Sequence, residues 1–217
     1  ICFGSETFCC FARNLGASKC KGEILVFVDA DMEFKNNFIK NLISPIQKNI
    51  SIGCDTNSGF LANKNNFWAK SWNIGRFYAA GVINNLAYKN MATANVSESE
   101  VFRAILKKNF NTVHGFDSSG EYTDDTSLSR KLRVKAFMSD KAMYYHYNPD
   151  SFSETILRAS WIGRSNNLIK GSSRLFNIIN YSFPMSIVKG SIIGIRYKYF
   201  PFLLFKIVYD MTIWLHL

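Results

Sequence analysis

Apolar residues fall along the chain in runs of two kinds, and the two alternate. Glu23-Ile24-Leu25-Val26-Phe27-Val28-Asp29 is a continuous apolar run closed by acids, short, β-branched and preceded by Gly22, which predicts a buried strand. Before it, Thr7 to Cys20 has small and apolar residues at helical spacing. After it, Asn36 to Lys48 puts Phe38, Ile39, Leu42, Ile43 and Ile46 on one helical face. Ser51 to Cys54 predicts a short strand, Asn63 to Ala80 an aromatic-rich helix, and Ala142 to His146 another strand. Ser97 followed by Glu100 reads as a capping box opening a helix through Lys108, and Thr123 opens a helix over Asp124 to Lys135. Strands alternating with helices imply an α/β domain with a mainly parallel sheet flanked by helices. That domain is assigned to residues 1–150.

From Ser151 the pattern changes. Residues 151–217 form a helical C-terminal extension whose most apolar part runs from Phe183 to Leu217. A spanning helix needs about 20 apolar residues, and Lys206 and Asp210 interrupt Phe200–Leu217. Two readings stay open. One is an interfacial segment with its aromatic face among lipid headgroups and Arg196, Lys198 and Lys206 meeting anionic lipid. The other is a helical hairpin packed on the rest of the chain.

Charge sharpens this division. The 217 residues carry 26 Lys+Arg and 16 Asp+Glu, a net of +10. Residues 1–150 hold 18 basic and 14 acidic side chains, whereas residues 151–217 hold 8 and 2, so the shorter segment carries most of the excess. The aromatic content of 15% and hydrophobic content of 47% exclude a disordered chain. No nucleic-acid module is present, and the basic excess accompanies an apolar tail, not an aromatic-interleaved groove, so nucleic acid is not an expected partner. The five cysteines, Cys2, Cys9, Cys10, Cys20 and Cys54, show no metal-ligand spacing and read as buried reduced thiols.

The candidate chemistry starts at Asp29-Ala30-Asp31, beyond the carboxyl end of the predicted strand, where open α/β sheets bind ligands. Two carboxylates there suit Mg²⁺ or Mn²⁺ holding a diphosphate. A strand ending in solvated acids would look the same. A second acidic pair, Asp124-Asp125, stands at a helix start, where the macrodipole also favours acids. Trp68 and Trp72, at i, i+4 spacing beside Phe77 and Tyr78, fit packing better than sugar stacking. Arg158 and Arg164 fit a basic solvated helix slightly better than a phosphate contact.

Ala12-Arg13-Asn14-Leu15-Gly16-Ala17, then Gly22-Glu23, then Asp29-Ala30-Asp31 resembles the "ARN-x-G-A…G-E…D-x-D" stretch of family-two inverting glycosyltransferases, which have the GT-A fold. Gly115-Phe116-Asp117 followed by Asp124-Asp125-Thr126-Ser127-Leu128-Ser129-Arg130-Lys131-Leu132 resembles that family's "G-F-D…E-D-x-x-L-x-x-R-L" block. Arg103 stands where the family usually has an Arg on the preceding helix. The resemblance covers roughly residues 8–165.

The resemblance implies a nucleotide-sugar donor (UDP- or GDP-linked), a glycan or lipid-linked acceptor, and a cytoplasmic location at the inner face of the cell membrane. It implies that Asp31 ligates a Mg²⁺ or Mn²⁺ on the donor diphosphate. Asp29 would contact the ribose or assist the metal, and Arg13 would approach the nucleotide. Asp125 would be the general base, with His146 a further metal or diphosphate contact. Asp124 stands where the family prefers Glu, and it could serve beside the base or be the base itself. The family's first nucleotide-binding strands have no counterpart before Cys2, so a partial GT-A domain is expected. An inactive membrane-peripheral relative that cannot bind donor is the alternative. A dehalogenase-type phosphatase ranks below both, because Met32-Glu33 breaks its motif.

Overall fold

The computed structural model describes residues 9–79, 97–118, 124–139, 141–164 and 173–217. The chain divides into two compact units, residues 1–59 with 92–145 and residues 60–91 with 146–217. The division therefore does not fall at residue 150. The segment around the aromatic helix folds with the C-terminal helices, because their apolar faces cover each other.

The first unit is built on a five-stranded sheet of order β1-β6-β3-β7-β5, with β1 Ile24–Val26, β3 Gly53–Asp55, β5 Glu98–Ser99, β6 Ala104–Leu106 and β7 Ala136–Met138. Two further strands are β2 Met32–Phe34 and β4 Gly59–Leu61, and with β8 Tyr144–His146 they form a second sheet of order β2-β8-β4. The helices are α1 Cys9–Lys19, α2 Phe38–Gln47, α4 Lys107–Thr112 and α5 Ser127–Leu132, the last entered through a 3₁₀ turn over Asp124–Thr126. Alternate residues of the strands supply two cores. Leu25 and Ile105 face one cluster with Cys10, Ala17, Phe110, Phe116 and Leu128. Ala104 and Cys54 face the other, with Phe38, Leu42 and Ile46 of α2. The central strands are thus covered on both sides, which explains the uninterrupted apolar run in β1.

Among the described strands of the main sheet the expected parallel arrangement is not found. Only β3 and β7 pair parallel, while β6 runs antiparallel to both β1 and β3, and β5 antiparallel to β7. A continuous apolar run reports two-sided burial and carries no information on strand direction. The helix expected over Ser97–Lys108 is also replaced, by β5, β6 and the start of α4. Ile105 and Ala104 are fully buried on opposite faces, a period of two that overrides the local capping signal. The helix expected to Lys135 stops at Arg133, whose φ of 54° ends it before β7. Cys10 and Cys54 are buried free thiols as expected, but Cys20 is exposed.

The second unit contains α3 Phe67–Ala79, α6 Phe152–Arg164, α7 Arg174–Asn180, α8 Phe183–Arg196 and α9 Phe202–Trp214. Ile74, Ile193, Tyr197, Phe202 and Phe205 form its core, with Trp68 and Trp72 packed against it. Trp72 meets Tyr209 edge-on at 5.5 Å between ring centroids. These two tryptophans pack, as their spacing predicts. The side chains of Phe77 and Tyr78 lie outside the described residues, as do Cys2 and the start of the helix expected at Thr7.

Candidate active site

The first unit gathers the acids at the carboxyl ends of its strands around two arginines. The amide of Phe27 donates to the carbonyl of Arg103 (2.8 Å), so β1 stays tied to β6 until just before Asp29. Asp29 then meets a guanidinium at each oxygen: Arg13 Nη2 lies 2.6 Å from Oδ1, and Arg103 Nη1 lies 3.4 Å from Oδ2. Burial alone would raise the Asp29 pKa, but the charges of Arg103 and Arg13 outweigh it and hold the group below the ordinary carboxylate value. Arg103 also reaches Asp55 at the end of β3, with Nε 3.6 Å from Oδ1. Ser99 Oγ donates to the other Asp55 oxygen at 2.7 Å. Burial nevertheless pushes the Asp55 carboxyl up, more than Arg103 and Ser99 bring it down.

Arg103 is fixed on its remaining sides. It donates to Met32 Sδ at 3.1 Å and lies over the Tyr144 ring at 5.5 Å. Arg13 lies over the Phe116 ring at 5.7 Å. The neighbouring Asn14 exchanges two 2.9 Å hydrogen bonds with the Phe116 backbone, accepting from its N–H and donating to its carbonyl. Gly115 turns at φ 74°, and a Cβ there would come within 2.5 Å of Asn14 Oδ1. Asp117 holds the far side of the turn, pairing with Arg130 at 2.6 Å and Lys131 at 2.7 Å. The Gly-Phe-Asp block is therefore a clip joining α1 to α5.

That clip sets the second acidic pair near the first. Asp124 is buried (6% exposed), and its carbonyl accepts from Ser127 Oγ. Asp125 is half-buried on the same 3₁₀ turn. Burial raises its pKa, the Arg13 charge lowers it, and the Asp29 charge raises it again. Arg13 thus acts electrostatically on Asp29 and on Asp125, two acids that are 96 positions apart in sequence.

The other expected site residues fall differently. Asp31 is half-buried just before β2. His146 belongs with the second unit, where its carbonyl accepts from the Ala62 amide at 3.0 Å. Among the described residues no three His, Cys, Asp or Glu side chains are grouped to hold a metal. Asp29 has both oxygens engaged by arginine, and Asp31, the other carboxylate of this motif, is an oxygen donor of the kind that suits a divalent ion. One carboxylate is a fitting protein share for Mg²⁺, which keeps waters and takes its other oxygens from substrate phosphates. Sequence reasoning missed Asp55, although the strand-end position that singled out Asp29 applies to it equally.

Comparison with known proteins agrees with this architecture. The model of glycosyl transferase family 2 matches residues 10–112, a stretch that includes Arg13, Asp29, Asp31, Asp55 and Arg103. The chain is also similar to Glycosyltransferase GlyG of Streptococcus pneumoniae serotype 4 (strain ATCC BAA-334 / TIGR4), with 24% identity over 166 residues. That match covers 69% of this chain and 52% of GlyG, so the chain spans about half the length of the relative. The mixed α/β unit flanked by helices, with helices at the carboxyl end of the chain, is a GT-A-like arrangement. Over residues 10–112, just under half of its length, the chain is similar to glycosyl transferase family 2.

Proposed function

We propose that the protein transfers a sugar from a UDP- or GDP-linked donor to a glycan or lipid-linked acceptor, with inversion and with a divalent metal. The observation that carries this reading is the position of Arg13, acting on the strand-end acid and on the half-buried acid of the 3₁₀ turn at once. Displacement at an anomeric carbon needs an acceptor oxygen deprotonated on one face and negative charge accommodated on the other. Asp125, less buried than Asp124, takes the proton from the acceptor hydroxyl. The acceptor oxygen forms its bond to the anomeric carbon as the bond to the diphosphate oxygen breaks, and attack from the opposite face inverts the centre. Asp31 would hold Mg²⁺ or Mn²⁺, whose chemistry is to offset charge on the departing diphosphate. Asp29 keeps Arg13 and Arg103 aimed toward the same region.

The test is metal-dependent UDP or GDP release by the full-length protein. Asp125→Asn should lower turnover by at least about 10²-fold, the usual worth of a general base. Asp31→Ala should abolish both transfer and metal-dependent nucleotide binding. Undiminished transfer in both variants overturns the reading, and absence of nucleotide binding in the unaltered protein favours the inactive relative.

A further inference from the structure

Beside its apolar core, the second unit has helices that bury polar or small residues and turn apolar side chains outward. Helix α8 buries Ser186, Gly190 and Gly194 along with Ile193, while Phe183, Val188, Ile192 and Ile195 stand exposed. Val188, Ile192 and Ile195 follow i, i+4, i+7 spacing, so they form one outward stripe. Helix α7 repeats the inversion: Asn177 is buried, and Leu175 and Phe176 are 67% and 57% exposed. Helix α9 turns Phe205 toward the core but also buries Asp210 completely, leaving Leu204 and Trp214 outside.

The buried charge is neutralised internally. Asp210 pairs with Lys206 at 2.7 Å and Lys189 at 3.0 Å, and it accepts from Ser186 Oγ at 3.2 Å. Gly190 lets the helices approach closely, since a Cβ there would lie 2.8 Å from Leu203. Small residues and satisfied polar groups between helices, with aliphatic side chains outside, are what a hydrocarbon surrounding selects. The exposed cations complete the pattern. Arg174 begins α7, Arg196 ends α8 and Lys198 follows it, all at helix ends where lipid phosphates would lie.

The geometry points to α7, α8 and α9 as a membrane-inserted element whose outer face sits in the acyl layer of an anionic bilayer, with Arg174, Arg196 and Lys198 at the headgroups. No single described helix is long and apolar enough to cross a membrane. Helices α7 and α8 reach that length and composition only together, across a 59° bend. This inference is independent of the donor-site reading, because vesicle binding is measured without any transfer assay.

The full chain is floated with phosphatidylcholine vesicles with and without phosphatidylglycerol. It should rise with the anionic vesicles and stay bound through a high-salt wash. Val188→Glu with Ile192→Glu should lower partitioning at least about tenfold, given the transfer free energy of two aliphatic side chains. Ile50→Glu, an equally exposed position in the first unit, should leave it unchanged. Bromine-labelled acyl chains should quench unaltered protein more than Trp214→Phe, a readout that does not depend on the glutamate variants folding. The inference is overturned if the chain stays in the aqueous fraction, if acyl-chain bromine does not quench it, or if the glutamates instead dissolve a stable dimer that ignores vesicles.

Discussion

Arg103 satisfies more partners than any other side chain of the candidate site, touching Asp29, Asp55, Met32 and the Tyr144 ring. Removing it takes a cation from two partly or fully buried carboxylates at once, so Arg103→Ala should cost about 2–4 kcal/mol of unfolding free energy in denaturant titration. Arg103→Lys should recover little of this, because an ammonium cannot serve both acids with guanidinium geometry. Asp125 makes a second prediction, on pH. Its folded pKa is raised, so if Asp125 is the proposed base, its basic form is lost at a pH above the ordinary carboxylate value and kcat/KM should fall there. Arg13 lowers that pKa, so Arg13→Gln should move the acid limb of the pH–rate profile to higher pH. Movement to lower pH would contradict the electrostatic role. Asp29, Asp31 and Asp125 stand out in sequence as candidates because each belongs to a short local pattern. Asp55 was not, because its significance comes from Arg103 and Ser99, residues 48 and 44 positions away.

The segment from Ser97 to Lys108 shows at the level of elements where local signals fail. A serine followed by a glutamate three residues later opens helices, but here Ser99 Oγ serves Asp55 and the Ser97 carbonyl accepts from Met138. What decides the outcome is the slot between β1 and β3, which only an extended Ala104-Ile105-Leu106 fills on both faces. Gly53 belongs to the same contact. A Cβ at Gly53 would stand 2.4 Å from the Phe102 ring and 2.7 Å from the Ala104 carbonyl. Gly53→Ala should therefore destabilise the protein by about 1–3 kcal/mol, measured as a lowered denaturation midpoint. In the second unit, Asp210→Asn should be more damaging than any change of an outward residue of α8. It would strip the counter-charge from Lys189 and Lys206, a loss of about 3–5 kcal/mol read as thermal unfolding in detergent.

The broad class of the whole molecule was legible, since alternating apolar runs and amphipathic segments require an α/β arrangement with helical layers. Its partition was not. Residues 60–79 join the C-terminal helices through contacts between Trp68, Trp72, Phe205 and Tyr209, which are more than 130 positions apart. No composition change marks that boundary. Net charge follows the units more closely, because residues 60–91 with 146–217 carry 12 basic and only 3 acidic side chains, against 14 and 13 in the other unit. Vesicle affinity should accordingly fall with added salt on anionic lipid and then level off, the plateau being the acyl-chain contribution that neutral lipid alone supports.

The position of Arg13 has an evolutionary consequence. One cation on α1 pulls down the pKa of an acid on each side of the site, with Arg103 at Asp29 and against burial at Asp125, so the two sides are coupled through it. A substitution that changes the charge around Asp125 alters the pull on Arg13, and through it the pairing at Asp29. Mutations at these three positions will show epistasis, with double variants departing from the sum of the singles, so that a change at one end of the site is tolerated best when matched at the other.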